Sequence, residues 1–189
     1  SDVKGMADCL RAALLGVEQT ALANGASIDG LARLSGGANM ETWSFDWVRT
    51  TEIEPLILRR VPGQTLDFEN AVGELTLKDE AALIDIAGRY GVPVPVVRLV
   101  LRPEHALGQG YIMSRERGEA LPFRLLADDC YRDARERLAF QCGQTLGRIH
   151  KIPLESLPEG LSDHSGVLLF QRAQELLDTQ GNLSPVLQL

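Results

Sequence analysis

The chain has 189 residues, 44% of them apolar and 24% charged, which fits a folded globular protein and excludes collagen-like, low-complexity and wholly disordered chains. Nineteen basic residues against 26 acidic ones leave a formal net charge of −7. That excess argues against a general binder of nucleic acid or anionic membranes, whose phosphates demand a positive field.

From the N-terminus, Met6, Leu10, Ala13, Leu14 and Val17 recur at i, i+4, i+7, i+8 and i+11. This is one face of a helix running to Ala23, with Asn24-Gly25 as its stop. Leu31-Ala32-Arg33-Leu34 reads as a short strand ended by Ser35-Gly36-Gly37. Over Glu41 to Val48 the pattern alternates, with Trp43, Phe45 and Trp47 on one face and Thr42, Ser44 and Asp46 on the other. A strand with one buried side has this signature. Pro55 opens a third apolar run, Leu56-Ile57-Leu58, which ends in Arg59-Arg60 before the Pro62-Gly63 turn. Three strands joined by short turns make an antiparallel meander.

A helix follows, with Leu77, Ala81 and Ile84 at i, i+4, i+7, ending near Tyr90-Gly91; Asp67 and Thr76 can each cap its start. Val92-Pro93-Val94-Pro95 is extended, because each proline pushes its predecessor out of helical geometry. Two more strands, Val96–Arg102 and Gly110–Arg115, flank the turn-like stretch from Pro103 to Gly110. The order helix, three strands, helix, two strands predicts an α+β lobe on a five-stranded sheet. After Gly118 the pattern becomes helical. Asp133 to His150 sets Leu138, Cys142 and Ile149 on one face and leaves Arg132, Arg135 and Arg137 to water. Pro153 and Pro158 mark its exit, and Ser165 to Asp178 carries another helical pattern with Leu168, Leu169, Leu176 and Leu177.

Two places could carry chemistry. Ser35-Gly36-Gly37-Ala38-Asn39 lies between two strands, where glycines let a backbone approach a phosphate and aim its N–H groups at the anion. Paired glycines also simply make tight hairpins. It is not a Walker A loop, since no Gly-Lys-Ser/Thr follows. Arg59 shares a strand face with Ile57 and Val61, and a charge beside apolar neighbours calls for an anionic partner. Glu80 on the next helix can supply it; the plainer reading is a surface arginine at a strand end.

Their order adds weight to both. A glycine turn between the first two strands, a basic residue on the third and a glutamate on the following helix is the arrangement that kinase-type enzymes use to hold nucleotide phosphates. Tyr111-Ile112-Met113-Ser114-Arg115-Glu116-Arg117-Gly118 would then be an adenine-binding hinge. On Leu34 to Asn39, Leu56 to Pro62, Gly91 to Pro95, Tyr111-Ile112-Met113 with Gly118, and Leu146 to His150, the sequence resembles the aminoglycoside phosphotransferase family of kinase-like enzymes. It looks closest to the branch found with acyl-CoA dehydrogenases.

The resemblance implies a protein-kinase-like N-terminal lobe, residues 1–117, with a five-stranded antiparallel sheet plus helices, followed by the first helices of a C-terminal lobe over 118–189. It implies that Ser35, Gly36, Gly37 and Asn39 cover the phosphates of ATP. Arg59 would stand where many members have lysine, paired with Glu80. Ile57 would cover the adenine face, Met113 would line the pocket, and backbone groups of Ser114 and Glu116 would bond the adenine edge. His150 would be structural. The implied activity is ATP-dependent phosphorylation of a small-molecule hydroxyl.

The family's catalytic loop reads His-Gly-Asp followed by Asn, with a second aspartate further on for Mg²⁺. Here His105 is followed by Ala106, His150 by Lys151 and His164 by Ser165. No catalytic residue or metal ligand is therefore assigned in the 189 residues. Mg²⁺ is expected only with a further C-terminal part, and the sequence reads as a fragment, inactive alone. A pseudokinase-like module that binds nucleotide or a protein partner is the alternative. The expected partners are a nucleotide and an unidentified small-molecule hydroxyl acceptor, with no nucleic acid and no membrane. Leu168, Leu169 and Leu176 would favour self-association through uncovered C-terminal helices. Cys9, Cys130 and Cys142 form no CxxC pair, the pattern of reduced, mostly buried thiols in a cytoplasmic protein. No run approaches the roughly 18 apolar residues of a membrane span, and the first residues lack the apolar stretch of a signal peptide.

Overall fold

The computed structural model of the protein describes residues 3–18, 25–34, 40–63, 75–119, 121–159 and 161. The chain divides into two compact units, Ser1–Pro158 and Glu159–Leu189. All the elements below belong to the first.

Helix α1 (Val3–Val17) buries Met6, Leu10, Ala13 and Leu14, the spacing that placed them on one stripe. Val17, expected on the same stripe, is exposed, and the helix ends there instead of at Ala23. Strand β1 (Ser27–Leu34) begins earlier than its apolar residues suggest. Its pairing with β2 (Glu41–Val48) shifts between Asp29 and Ala32, and Gly30 in that bulge has φ +61°. An extra residue in the strand breaks the period-2 pattern that a sequence reading relies on. In β2 the alternation is intact: Glu41, Trp43, Phe45 and Trp47 are buried, and the residues between them half-buried.

Strand β3 (Ile53–Val61) pairs with β2 along its length. Helix α2 (Leu77–Arg89) follows, then β4 (Val97–Val100) and β5 (Gln109–Ser114). The sheet is wholly antiparallel in the order β1-β2-β3-β5-β4, so β5 is inserted between β3 and β4. Gly108 makes the approach to β3 possible: its φ is +80°, and a Cβ there would sit 2.2 Å from the Val61 carbonyl oxygen. The start of α2 is fixed by Thr76. Its Oγ1 accepts the Asp79 N–H at 3.1 Å, and Asp79 Oδ2 accepts the Thr76 N–H at 3.2 Å. This reciprocal capping satisfies two of the donors that a helix start leaves open. Asp67, the other candidate cap, lies outside the described residues.

Alternation divides the sheet into two unlike faces. On one, α1 packs against Trp43, Phe45, Trp47, Leu56, Leu58 and Ile112, closed at the sheet end by Leu101 and Leu107. On the other, α2 lies against β4 and β5 and buries Ala81 and Ile86. The α+β fold with five antiparallel strands and flanking helices is as the sequence predicts.

Beyond the sheet come α3 (Pro122–Ala127), a short helix the sequence did not signal, and α4 (Arg132–Ile149). Arg135 is not left to water: its Nη1 donates to the carbonyls of Leu125 and Asp128, both at 2.8 Å, and ties α4 to the end of α3. None of the described α4 residues is buried, and Leu138 and Ile149 are 48% and 43% exposed. The expectation of mostly buried thiols fails for the same reason. Cys142 on this helix and Cys130 just before it are exposed, Cys9 is half-buried, and all three are free. The Tyr90 hydroxyl and Ser156 Oγ meet at 2.8 Å, and Arg148 Nη1 donates to the Gly91 carbonyl at 3.3 Å, so the end of α2 is tied to the end of α4. The helical pattern over Ser165 to Asp178, with Leu168, Leu169 and Leu176, lies outside the described residues. No helix among those described is long and apolar enough to cross a membrane.

Candidate functional site

Strand pairing sets out the face opposite α1 as two rows. Thr42, Arg59 and Tyr111 are neighbours across β2, β3 and β5, and Ser44, Ile57 and Met113 form the next row. Arg59 and Glu80, far apart in sequence, meet here. Arg59 Nε donates to Glu80 Oε2 at 3.2 Å, with the side chains 28% and 32% exposed. Glu80 engages only Nε, and the two terminal nitrogens of the guanidinium have no hydrogen-bond partner among the described residues. A planar fork with two unclaimed nitrogens suits a phosphate's paired oxygens.

Tyr111 completes this cluster. It is 1% exposed and stands directly across from Arg59 in the β3–β5 pairing. Burial pushes its pKa up to about 12, and the Glu80 charge adds to the rise against the opposing pull of Arg59. The phenol is therefore neutral throughout the physiological range. The sequence places Tyr111 only at the start of the expected hinge stretch and not beside Arg59. The missing signal is the strand order, because only with β5 beside β3 does Tyr111 face Arg59.

Arg60 points the other way, into the α1 face, and makes a second cluster that the sequence reading missed. Its Nε and Nη2 donate to Glu41 Oε2 at 3.0 and 2.9 Å, and Nη1 donates to the Leu107 carbonyl at 3.2 Å. Trp43 Nε1 donates to the same carboxylate oxygen at 3.0 Å, and Arg33 Nη1 stands 3.6 Å from the other. Burial opposes the charge on Glu41. The hydrogen bonds from Trp43 and Arg60, with the charges of Arg60 and Arg33, outweigh it and hold the carboxyl below its ordinary pKa. A charged pair this well satisfied is a structural strut.

Past Arg59 along β3, Ile57 is buried with Met113 half-buried beside it. Ser114 ends β5 in an unusual way. Its N–H donates to the Val96 carbonyl at 2.9 Å, yet the Val96 N–H returns to Ser114 Oγ at 2.9 Å and not to the backbone carbonyl. The hydroxyl in turn donates to Glu116 Oε1 at 2.6 Å. Side-chain substitution at the ladder's last rung thus spares the Ser114 carbonyl from pairing with Val96. Arg115 holds the next step, its N–H on the Pro55 carbonyl at 3.0 Å and its Nη2 on Asp46 Oδ1 at 2.7 Å.

The remaining sequence-predicted residues, Ser35, Gly36, Gly37 and Asn39, lie outside the described residues. The strands they connect pair as far as Leu34 with Thr42, and Thr42 is the neighbour of Arg59. Among the described residues no group of three or more His, Cys, Asp or Glu side chains could hold a metal ion. The family model described as "Phosphotransferase enzyme family" matches residues 31–185, from within β1 past the end of α4. No curated protein sequence matches the chain.

Proposed function

Because the chain belongs to the phosphotransferase enzyme family, we propose that residues 1–117 form a nucleotide-binding lobe that grips ATP for transfer to the hydroxyl of a small molecule. Residues 118–189 would begin the helical lobe. The observation that carries this reading is the division of labour within Arg59: Glu80 occupies Nε and leaves both terminal nitrogens to an anion. A lysine in this place offers one ammonium to glutamate and phosphate together, whereas a guanidinium serves each from a separate edge. Ile57 and Met113 supply an apolar surface for the base. The Ser114 carbonyl and the Glu116 backbone offer polar groups at its edge, and Ser35, Gly36, Gly37 and Asn39 cover the phosphates.

Mg²⁺, which accompanies ATP in such enzymes, has no fitting ligand set among the described residues. The sequence contains no His-Gly-Asp, and the described residues offer no cluster of metal ligands. The 189 residues supply the grip on the nucleotide and not the transfer. That same lack favours a second reading, a nucleotide-binding module without catalysis. The purified chain, given labelled ATP and a panel of hydroxyl acceptors, should release no labelled product; turnover would refute this.

Calorimetric titration with ATP, ADP and adenosine tests the grip itself. A charge-assisted contact of this kind is worth about 1.5–3 kcal/mol, so Arg59→Met should weaken ATP and ADP by roughly 10- to 100-fold. Adenosine, lacking phosphates, should bind both proteins equally. Wild-type protein that ignores ATP, or an Arg59→Met protein that binds it unchanged, overturns the proposal.

A further inference from the structure

Resting on the reading of Arg59 as the phosphate anchor, we propose that Thr76 is a positioning residue: its reciprocal cap with Asp79 fixes the first turn of α2, and with it the Glu80 carboxylate that orients Arg59. What holds that turn in place is the cap and not the core. Leu77 to Glu80 contains no buried residue, and α2 is first buried at Ala81, which is 1% exposed. A helix end without buried side chains frays unless its open donors are satisfied. Glu80 stands on the unburied side of this boundary, so the order of its backbone comes from the residue that closes the turn.

Hydrogen bonds from both backbone and side chain join Thr76 to the two acids of this turn. Its carbonyl accepts the Glu80 N–H at 2.9 Å, and its Oγ1 accepts the Asp79 N–H at 3.1 Å. Its hydroxyl and its backbone N–H donate in return to Asp79 Oδ2, at 2.6 and 3.2 Å. The arrangement serves Arg59 twice. It closes the turn from which Glu80 reaches Arg59 Nε at 3.2 Å, and it folds the neighbouring carboxylate of Asp79 back onto the cap. The Arg59 and Glu80 side chains are partly exposed, so water competes for their contact and the backbone beneath Glu80 decides how well it holds. An anchor ordered in advance spares an arriving phosphate the side-chain entropy of ordering it.

Thr76→Ala deletes both hydroxyl bonds and keeps the backbone ones, and the full 189-residue chain carries the test. One readout needs no nucleotide: solvent exchange of the Arg59 Nε proton, followed by nitrogen-15 NMR. Losing a cap of ordinary strength should speed this exchange about 5-fold, and Thr76→Ser should restore it. In a Glu80→Gln background Thr76→Ala should have no further effect. The second readout is the ratio of ATP to adenosine affinity, which should fall about 2- to 5-fold in Thr76→Ala with adenosine binding unchanged.

Unaltered exchange overturns the positioning role whatever the nucleotide does, and so does an effect of Thr76→Ala that persists without the Glu80 carboxylate. Faster exchange with unaltered ATP affinity overturns its service to the phosphates. An equal fall for ATP and adenosine marks the cap as a support of the fold alone and overturns it as well. If the wild-type chain binds no ATP, the functional reading fails, and the exchange measurement still decides whether Thr76 positions Glu80.

Discussion

Replacing Arg60 by methionine should unfold the protein far more readily than the same change at Arg59, one residue away. Arg60 and Glu41 are each only 10% exposed. Without the guanidinium, Glu41 Oε2 keeps only the Trp43 indole at 3.0 Å, and the Leu107 carbonyl loses its donor. The nearest other cation, Arg33, stands 3.6 Å from the opposite oxygen and is itself 56% exposed. Stripping one partner from a buried pair costs about 3–5 kcal/mol. In a unit of this size each kilocalorie moves the midpoint by about 2–4 °C, so thermal unfolding followed by circular dichroism should shift down by roughly 6–20 °C. The double variant Glu41→Leu/Arg60→Met removes both charges and should recover most of the loss, because apolar replacement of a whole buried pair is often neutral. Arg59→Met should cost no more than about 1 kcal/mol, since its pair is partly hydrated. An Arg60→Met protein within about 1 kcal/mol of wild type, or a double variant as unstable as the single one, would refute the reasoning.

Acid should expose the same pair. The folded-state pKa of Glu41 lies below the ordinary 4.5, so its contribution is complete above about that pH and is lost as pH falls through the lowered folded value. Glu41→Gln should therefore be less stable at neutral pH and show a shallower loss of urea stability below about pH 4.5; an unchanged acid slope would sink this assignment. Gly108→Ala places a Cβ 2.2 Å from the Val61 oxygen at a φ of +80°, and should cost about 2 kcal/mol or more, read as a lower urea midpoint; a neutral result would contradict the tight β3–β5 approach. Thr76→Ala removes both hydrogen bonds of the Thr76 hydroxyl at the α2 cap and leaves its backbone N–H on Asp79; it should cost about 1 kcal/mol in the same assay, with Thr76→Ser close to wild type.

What the sequence could reveal depended on how local the physics was. The Trp43, Phe45, Trp47 alternation is a property of one strand, and all three are buried as read. The α1 stripe is equally local, and its four inner residues are buried. Pairing Arg59 with Glu80 was legible from the order of a glycine turn, a basic residue on the third strand and a glutamate on the following helix, and the two side chains do meet. Tyr111 was not legible as their neighbour, since the insertion of β5 beside β3 is set by the whole sheet. Arg60 was hidden by its partner: Glu41, at the head of an alternating strand, reads as a polar end, and only the folded sheet brings the two together. The bulge at Gly30 masked the first half of β1, and α3, at six residues, is too short to show a helical period.

The tandem arginines of β3 carry a lesson for anyone editing this strand. Composition cannot tell them apart, yet one props up the interior and the other meets Glu80 of α2. Their fates are assigned by Leu56 and Leu58, which anchor the chain against the tryptophan-rich neighbour. Adding or deleting a single residue upstream would turn those leucines outward and swap the positions of two chemically identical side chains, breaking the Glu41 and Glu80 pairs together. An even-numbered change would keep each arginine facing its own side.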